Sequence, residues 1–294
     1  VATVGLLTNS AAIVVGSMVI APLIGPAMAS SVATVVNDND MFWDGVRTQA
    51  SGVLVAVLSS ALFALLLRFT ILPEVDLLLL DQVAERVHPG PLALVVALGA
   101  GVAGSLSLTS GASAALVGVM IAVALIPPAA TFGLGLAYSK PVVAVSSGVL
   151  IFLNLFSINL AGLGTLWLKG YRPESWYESK VAWSATLKRS LVLLVAVLLL
   201  TGALGFGTYQ EQVNANLRKE AVEYLENRNI PTEELRMHYQ FQWWYRLPDS
   251  ISIRAIDPPE GLAAQLQAHL EEIRGRSLKV RVLHETVDVA APDS

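Results

Sequence analysis

Two groups of prolines stand inside apolar sequence, Pro22 and Pro26 with Gly25 between them, and Pro127 beside Pro128. A proline lacks the N–H that the carbonyl four residues back would accept, and in a helix interior it costs about 3 kcal/mol. Such prolines predict a kink or an unwound stretch with freed carbonyl oxygens, which in a membrane must face protein or a wet cavity. Short polar side chains gather where the same two segments begin: Thr8, Asn9 and Ser10 in one, Ser107, Thr109, Ser110 and Ser113 in the other. Their ordinary work is helix capping. The alternative is that hydroxyls, amides and the unpaired N–H groups of a helix start bind a polar or anionic solute. Asn154 and Asn159, with Ser157 between them, lie in a further apolar run, where an amide needs a partner. They either bond a neighbouring helix or line the same site.

The chemistry open to these residues is hydrogen bonding and coordination by oxygen, not proton transfer. No Asp, Glu, Lys, Arg or His falls in the middle of an apolar run, which speaks against a carboxylate proton pump or a voltage sensor. There is no nucleophile elbow, phosphate loop or HExxH, and His88, His238, His269 and His284 stand apart outside those runs. With no cysteine there is no disulfide framework and no thiolate metal site. The expectation is a non-enzyme without cofactor or metal.

The elements that would position these residues are membrane spans. Of 294 residues 54% are hydrophobic and only 14% charged, against roughly 25% charged in an ordinary soluble domain. Charge is absent from Val1 to Asn37, Thr48 to Leu67, Pro89 to Ser139, Pro141 to Leu168 and Ser190 to Gln210. About 20 apolar residues cross about 30 Å of hydrocarbon, so each run can span and the third can do so twice. Spans are predicted near residues 10–36, 45–68, 90–107, 112–138, 142–167 and 188–208. Val1 to Leu7 reads as the stump of another helix, with a missing piece expected before it. The linker Leu72 to His88, of mixed charge, is expected on the membrane surface.

Beyond residue 208 the sequence becomes soluble in character and carries the whole net charge of −4. It predicts a small α/β domain, residues 209–294, in the order αββαβ: helix 210–227, strands 236–243 and 250–256, helix 259–274 and strand 278–287. Nothing in this charge distribution attracts nucleic acid.

The chain also repeats itself. At an offset of 102, Thr8 to Ala29 lies without gaps on Ser110 to Thr131, matching Gly16 with Gly118, Met18 with Met120, Leu23 with Leu125, Ile24 with Ile126 and Pro26 with Pro128. Three crossings separate equivalent points, so the second copy should enter from the opposite face. The fold class expected for residues 1–208 is an all-α polytopic membrane domain of inverted three-helix repeats, one about 1–70 and the other about 89–168, with an extra span at 188–208. Broken helices of inverted repeats commonly meet near the midplane to form a site.

Lys and Arg set the orientation. Arg47, Lys169, Arg172, Lys180, Lys188 and Arg189 collect on one side, with Trp43, Trp167, Trp176 and Trp183; Arg68, Arg86 and Lys140 fall on the other. The first side is expected to be cytoplasmic and the C-terminal domain extracytoplasmic, in a multi-pass protein of the cell membrane.

The stretches ATVGLLTNSAAIVVGSMVIAPLIGPAMA (Ala2 to Ala29), SAALVGVMIAVALIPPAATFGLGLA (Ser113 to Ala137) and FLNLFSINLAG (Phe152 to Gly162) resemble domain-of-unknown-function family 389, hydrophobic integral membrane proteins. The IAPL.GP and ALIPP elements, in this order, carry the resemblance. It implies a cytoplasmic N-terminal domain before the first span and supplies no activity. The tail looks like a BON-type envelope domain by element pattern alone.

The function expected is a transporter- or channel-like protein moving a small polar solute or ion between the repeats, at a site of Asn9, Ser10, Pro22, Pro26, Ser110, Ser113, Pro127, Pro128, Asn154 and Asn159. Membrane lipid and further copies of the chain, as a homo-oligomer, are its expected partners. The alternative is a membrane scaffold or sensor whose outer domain binds lipid, a cell-envelope component or a protein.

Overall fold

The computed structural model describes residues 1–19, 24–90, 92–110, 114–171, 176–228, 230, 232–242, 245–256, 259, 261–274 and 279–285. Pro22, Ser113 and Arg172 lie outside these residues, and the side chains of Trp176, Lys180 and Trp183 are likewise outside what is described. Two compact units are present, Val1–Gly205 and Phe206–Ser294.

The first unit is helical. Helix α1 (Ala2–Leu7) turns through Asn9 into α2 (Ala11–Val19), followed by α3 (Ile24–Val36) and α4 (Asn39–Thr70). A single 3-10 turn at Leu77–Leu79 and the short α5 (Asp81–Val87) form the linker. Then come α6 (Leu92–Ser110), α7 (Ala114–Ala137), α8 (Pro141–Leu168) and α9 (Trp176–Glu226). Among the described residues, four stretches are long and apolar enough to cross a membrane: Asn39–Thr70, Leu92–Ser110, Pro141–Leu168 and Thr186–Phe206. Two of them leave apolar stripes uncovered, Leu54, Leu58, Leu62 and Leu66 on α4 and Leu191, Val195, Leu198 and Leu199 on α9. Stripes of this length at helical spacing are lipid-facing surface. This is a membrane protein.

Two sequence expectations change, and residues 20–23 of the span 10–36 lie outside the described residues. Of the span 112–138, Ala114–Ala137 is one continuous helix, α7, which runs through Pro127 and Pro128 instead of unwinding there. The tail's first helix is not separate from the last span, because α9 continues to Glu226. Isolated glycines cost only about 1 kcal/mol each in a helix, so Gly202, Gly205 and Gly207 do not end it.

Close approach of backbones packs the unit. A Cβ on Gly101 of α6 would collide with the backbone carbonyl of Ile158 on α8 and come within 2.9 Å of Ala161 Cβ. A Cβ on Gly133 of α7 would sit 2.7 Å from Ser60 Cβ on α4. Such crossings bring many atoms into van der Waals contact where lipid supplies no hydrophobic drive.

The ends of the helices are tied in two groups. In one, Arg189 donates to Asn39 Oδ1 at 2.6 Å with its guanidinium 4.3 Å over the Phe42 ring, and Lys169 donates to Thr109 Oγ1 at 2.8 Å. In the other, Arg68 donates to the Ala137 carbonyl at 2.6 Å and the Tyr138 hydroxyl to the Leu72 carbonyl at 3.0 Å.

Hydrogen bonds recur at the same offset as the sequence. Asn37 and Ser139, 102 residues apart, both take the left-handed conformation, φ 60° and 55°. Each follows a helix whose end is closed alike, Asp38 N–H to Ala33 O at 2.9 Å and Lys140 N–H to Gly135 O at 2.8 Å. Thr8 Oγ1 donates to Val4 O at 2.8 Å and Ser110 Oγ to Leu106 O at 2.7 Å, again 102 apart. Helices α4 and α8 begin at Asn39 and Pro141, the same distance apart.

The second unit contains the end of α9, then β1 (Thr232–Gln242), β2 (Tyr245–Ile256), α10 (Leu262–Arg274) and β3 (Lys279–Glu285). The sheet order is β1-β2-β3, antiparallel for the first pair and parallel for the second. Leu217, Ala221 and Leu225, with Leu262, Leu266 and Leu270, repeat every fourth residue and pack with Ile251 and Ile253 of β2.

Candidate functional site

The residues expected to form a site are bonded to separate parts of the helical unit. Asn9, at φ 51° in the turn before α2, accepts from Gln82 N–H at 2.9 Å and donates to Asp81 Oδ2 at 3.1 Å. It holds the first turn of α5, whose leading N–H groups have no partner within the helix. Ser10 Oγ accepts from Ile13 N–H at 3.5 Å, the capping role, and Ser110 Oγ returns to its own helix. Pro26 lies in α3.

Pro127 and Pro128 are buried in α7. Pro128 frees the carbonyl of Ala124, four residues back, and Asn154 Nδ2 on α8 donates to that oxygen at 2.6 Å. The side-chain amide thus stands in for the N–H that proline lacks, which is why α7 passes through without unwinding. Among the described residues, Asn154 Oδ1 is buried with no partner, as are Gln49 Nε2 and Thr201 Oγ1. Asn159 Oδ1 accepts from Ser30 Oγ at 2.5 Å and Ser31 Oγ at 3.3 Å, both on α3, while its Nδ2 donates to Leu155 O at 2.8 Å. The two asparagines bridge helices, and the Ala124 carbonyl meets an amide rather than a cavity.

A pocket does exist, elsewhere. It measures about 420 Å³, and its wall includes Val1 and Ala2 at the start of the sequence, Thr3 of α1, Ser17 of α2, Ser59, Ser60 and Phe63 of α4, and Ile126 and Ala130 of α7. Among the described residues, none of those expected at the site lines it. Thr3, Ser17 and Ser60 are buried. Ser60 Oγ donates to the Ala130 carbonyl at 2.9 Å, so its one proton is committed and the 3.0 Å contact with Thr3 Oγ1 has Thr3 donating. Ser17 Oγ donates to Val14 O at 2.6 Å and Ser59 Oγ to Ala56 O at 3.1 Å. Each of these hydroxyl protons therefore points into protein, and what remains for a guest is oxygen lone pairs. The pocket suits a hydrogen-bond donor.

Sequence reasoning missed these residues because single hydroxyls on apolar helices are commonplace. A usable signal was present in the offset, since it pairs Thr3 with Ser105 and Ser60 with Gly162.

Among the described residues outside the spans, one group is electrostatically perturbed. Burial lowers the Arg86 guanidinium, opposed by its ion pair with Glu85 at 3.0 Å.

Gly25 and Pro26 of the IAPL.GP motif lie in α3, and both prolines of ALIPP lie within α7, with Asn154 of the third matching stretch on the Ala124 carbonyl. Residues 18–160 match the family described as Domain of unknown function (DUF389). The chain carries a DUF389 domain over these residues. A curated relative from Methanocaldococcus jannaschii, uncharacterized protein MJ0678, is 33% identical over 205 residues, which is 68% of this chain and 61% of that protein. The chain thus spans about three fifths of that relative's length. No solved structure matches the chain. The DUF389 match takes in α3 to α7 and most of α8, with Ser59, Ser60, Phe63 and Ile126 of the pocket wall inside it.

Proposed function

We propose that the chain is a non-enzymatic membrane transporter or channel in which two inverted three-helix copies carry a small polar solute past the Thr3–Ser17–Ser60 pocket. The observation that carries this reading is an acceptor-lined pocket among apolar helices of a membrane protein. Its chemistry favours a solute with N–H or O–H donors, because an unpaired acceptor away from water loses hydrogen bonding that such a guest restores.

The inverted relation is supported by reciprocal contacts. Ser60 touches Ala130 and Gly133; 102 residues on, Gly162 faces Met28 and Ser31, the partners of Ala130 and Gly133 in the other copy. When residue i meets j of the other copy and the equivalent of i meets the equivalent of j, a twofold axis relates the copies. The end-ties give its direction. Asn9 before α2 lies with α5, whereas Thr109 before α7 is tied to Lys169, and Arg68 reaches the far end of α7. On this reading the segments α2–α3 and α7 run oppositely.

Uptake into proteoliposomes tests the function. With urea, glycerol and methylammonium as probes, at least one is expected to enter faster than into protein-free vesicles, and Ser60→Leu should remove that excess by filling the pocket with an apolar side chain. Entry no faster than in empty vesicles for all three would hand the chain to a second reading, a membrane scaffold or sensor. The bonds that Asn154 and Asn159 make to neighbouring helices favour that second reading.

For orientation we propose that the end carrying Lys169 and Arg189 is cytoplasmic and the unit from Phe206 onward extracytoplasmic, as the positive-inside rule requires. Glu226 and Lys188 are both exposed. In spheroplasts Glu226→Cys should react with a membrane-impermeant maleimide and Lys188→Cys should react only after permeabilisation; the opposite pattern inverts the assignment.

A further inference from the structure

The pocket has a counterpart in the second copy, and it is full. Adding 102 to Thr3 and Ser60 gives Ser105 and Gly162, and subtracting 102 from Ala130 gives Met28. These three residues are together. Ser105 Oγ donates to the Gly162 carbonyl at 3.0 Å and stands 3.6 Å from Met28 Sδ. A Cβ on Gly162 would lie 3.2 Å from Ser105 Oγ and 3.4 Å from Met28 Cε. One on Gly104, the counterpart of Ala2, would lie 3.0 Å from Met28 Sδ. In the first copy the equivalent of Met28 is Ala130, and the space a longer side chain would fill is part of the pocket. Met28 is 2% exposed and Ser105 fully buried.

The two places also lie near opposite helix ends. Thr3 lies five residues before Thr8 at the α1–α2 turn, and Ser105 five residues before Ser110 at the end of α6. At about 1.5 Å per residue each sits about 8 Å inside its own end. These ends belong to the two different groups of ties, that of Asn9 with α5 and that of Thr109 with Lys169.

We propose that the counterpart is a second binding site for the same class of hydrogen-bond donor, and that the Met28 thioether is its plug. Once the thioether leaves, Ser105 Oγ still commits its proton to Gly162, so the vacated space presents the lone pairs of that hydroxyl, the equivalent of Thr3, while Val119 and Gly162 stand where the first copy has Ser17 and Ser60. Methionine suits a removable plug. It has three rotatable side-chain bonds and no branch, so it fills irregular space closely and leaves it without moving the backbone. A solute held in the first pocket would meet the second site only when Met28 swings aside, which gives one path with a pocket toward one face and a gate toward the other.

The inference rests on the transport reading, and one experiment separates the two. The chain has no cysteine, so single cysteines report alone. The full chain is placed in nanodiscs, where both faces are wet, and treated with a methanethiosulfonate carrying a trimethylammonium group. Ser105→Cys is expected to react slowly in the parent and about tenfold faster or more with Met28→Ala. Met28→Val, which lacks the Sδ and Cε atoms that reach Gly104 and Gly162, should accelerate it in the same direction and serves if the alanine variant does not assemble. Ser60→Cys should react readily and at one rate in all backgrounds, which also certifies the fold. If Ser60→Cys reacts while Ser105→Cys stays inert beside a truncated Met28, the plug is overturned and the pocket stands. If Ser60→Cys is itself inert, the pocket is dry, and the transport reading falls with the plug.

Discussion

Gly101→Leu is expected to prevent α6 from seating on α8, while Gly99→Leu, two residues away on the same helix, is expected to be silent. The difference is geometric. Any side chain at Gly101 begins inside contact distance of the Ile158 carbonyl and Ala161, both on a neighbouring helix, whereas a Cβ on Gly99 meets nothing within 4 Å. Because the obstacle is backbone, no rotamer change relieves it, and the helices must separate along a contact that also includes Ser105 with Gly162. Overpacking of a tight interior costs about 1–3 kcal/mol and more where backbone must move, so Gly101→Leu belongs at or beyond the upper end. The measurement is thermal stability in detergent by the loss of the monodisperse peak on heating. A Gly101→Leu protein that melts with the parent would mean that the α6–α8 crossing is not as close as described.

That crossing also shows what could be read from the sequence. The run GAGVAGS, Gly99 to Ser105, announces close helix approach, yet nothing in it says that Gly101 rather than Gly99 meets the neighbour, because the choice depends on helix rotation. The offset of 102 needs no tertiary knowledge, and the positive φ of Asn37 and Ser139 and the matched helix closures fall on it. Spans defined by the absence of charge were legible as well, since lipid excludes charge whatever the packing.

The candidate site was not legible, and the prolines show why. Paired prolines in an apolar segment identify a freed carbonyl, but whether that oxygen faces water or protein depends on a residue far along the chain. For Ala124 it depends on Asn154, 30 residues on. Read separately, the prolines and the asparagine each suggested a polar cavity; placed together, they satisfy one another. The pocket instead uses hydroxyls whose significance arises only from three helices converging on Ser60. Ser10 and Asn9 were read with both a capping and a binding role, and the bonds observed are of the capping kind.

The pairing of Asn154 with the proline-freed carbonyl predicts a double-mutant cycle. Asn154→Leu removes the donor and leaves the Ala124 oxygen bare in a buried place, which should cost about 1–3 kcal/mol. Part is offset, because the same change removes the unpartnered Asn154 Oδ1. Pro128→Ala supplies a backbone N–H four residues after Ala124, so the helix can then close its own bond and the amide becomes redundant. Asn154→Leu should therefore be costly beside Pro128 and nearly free in the Pro128→Ala background, a coupling of about 1–3 kcal/mol between residues that touch through one carbonyl. Denaturation of the four proteins in mixed micelles measures it. The double variant should be at least as stable as the parent, since it contains neither the bare carbonyl nor the stranded amide oxygen. Equal losses from Asn154→Leu in both backgrounds would mean that the amide serves something other than the proline. Solute entry in the double variant then decides between roles: if the bond is structural alone, flux through the Ser60 pocket persists, and if entry is lost while the fold holds, Asn154 belongs to the path after all.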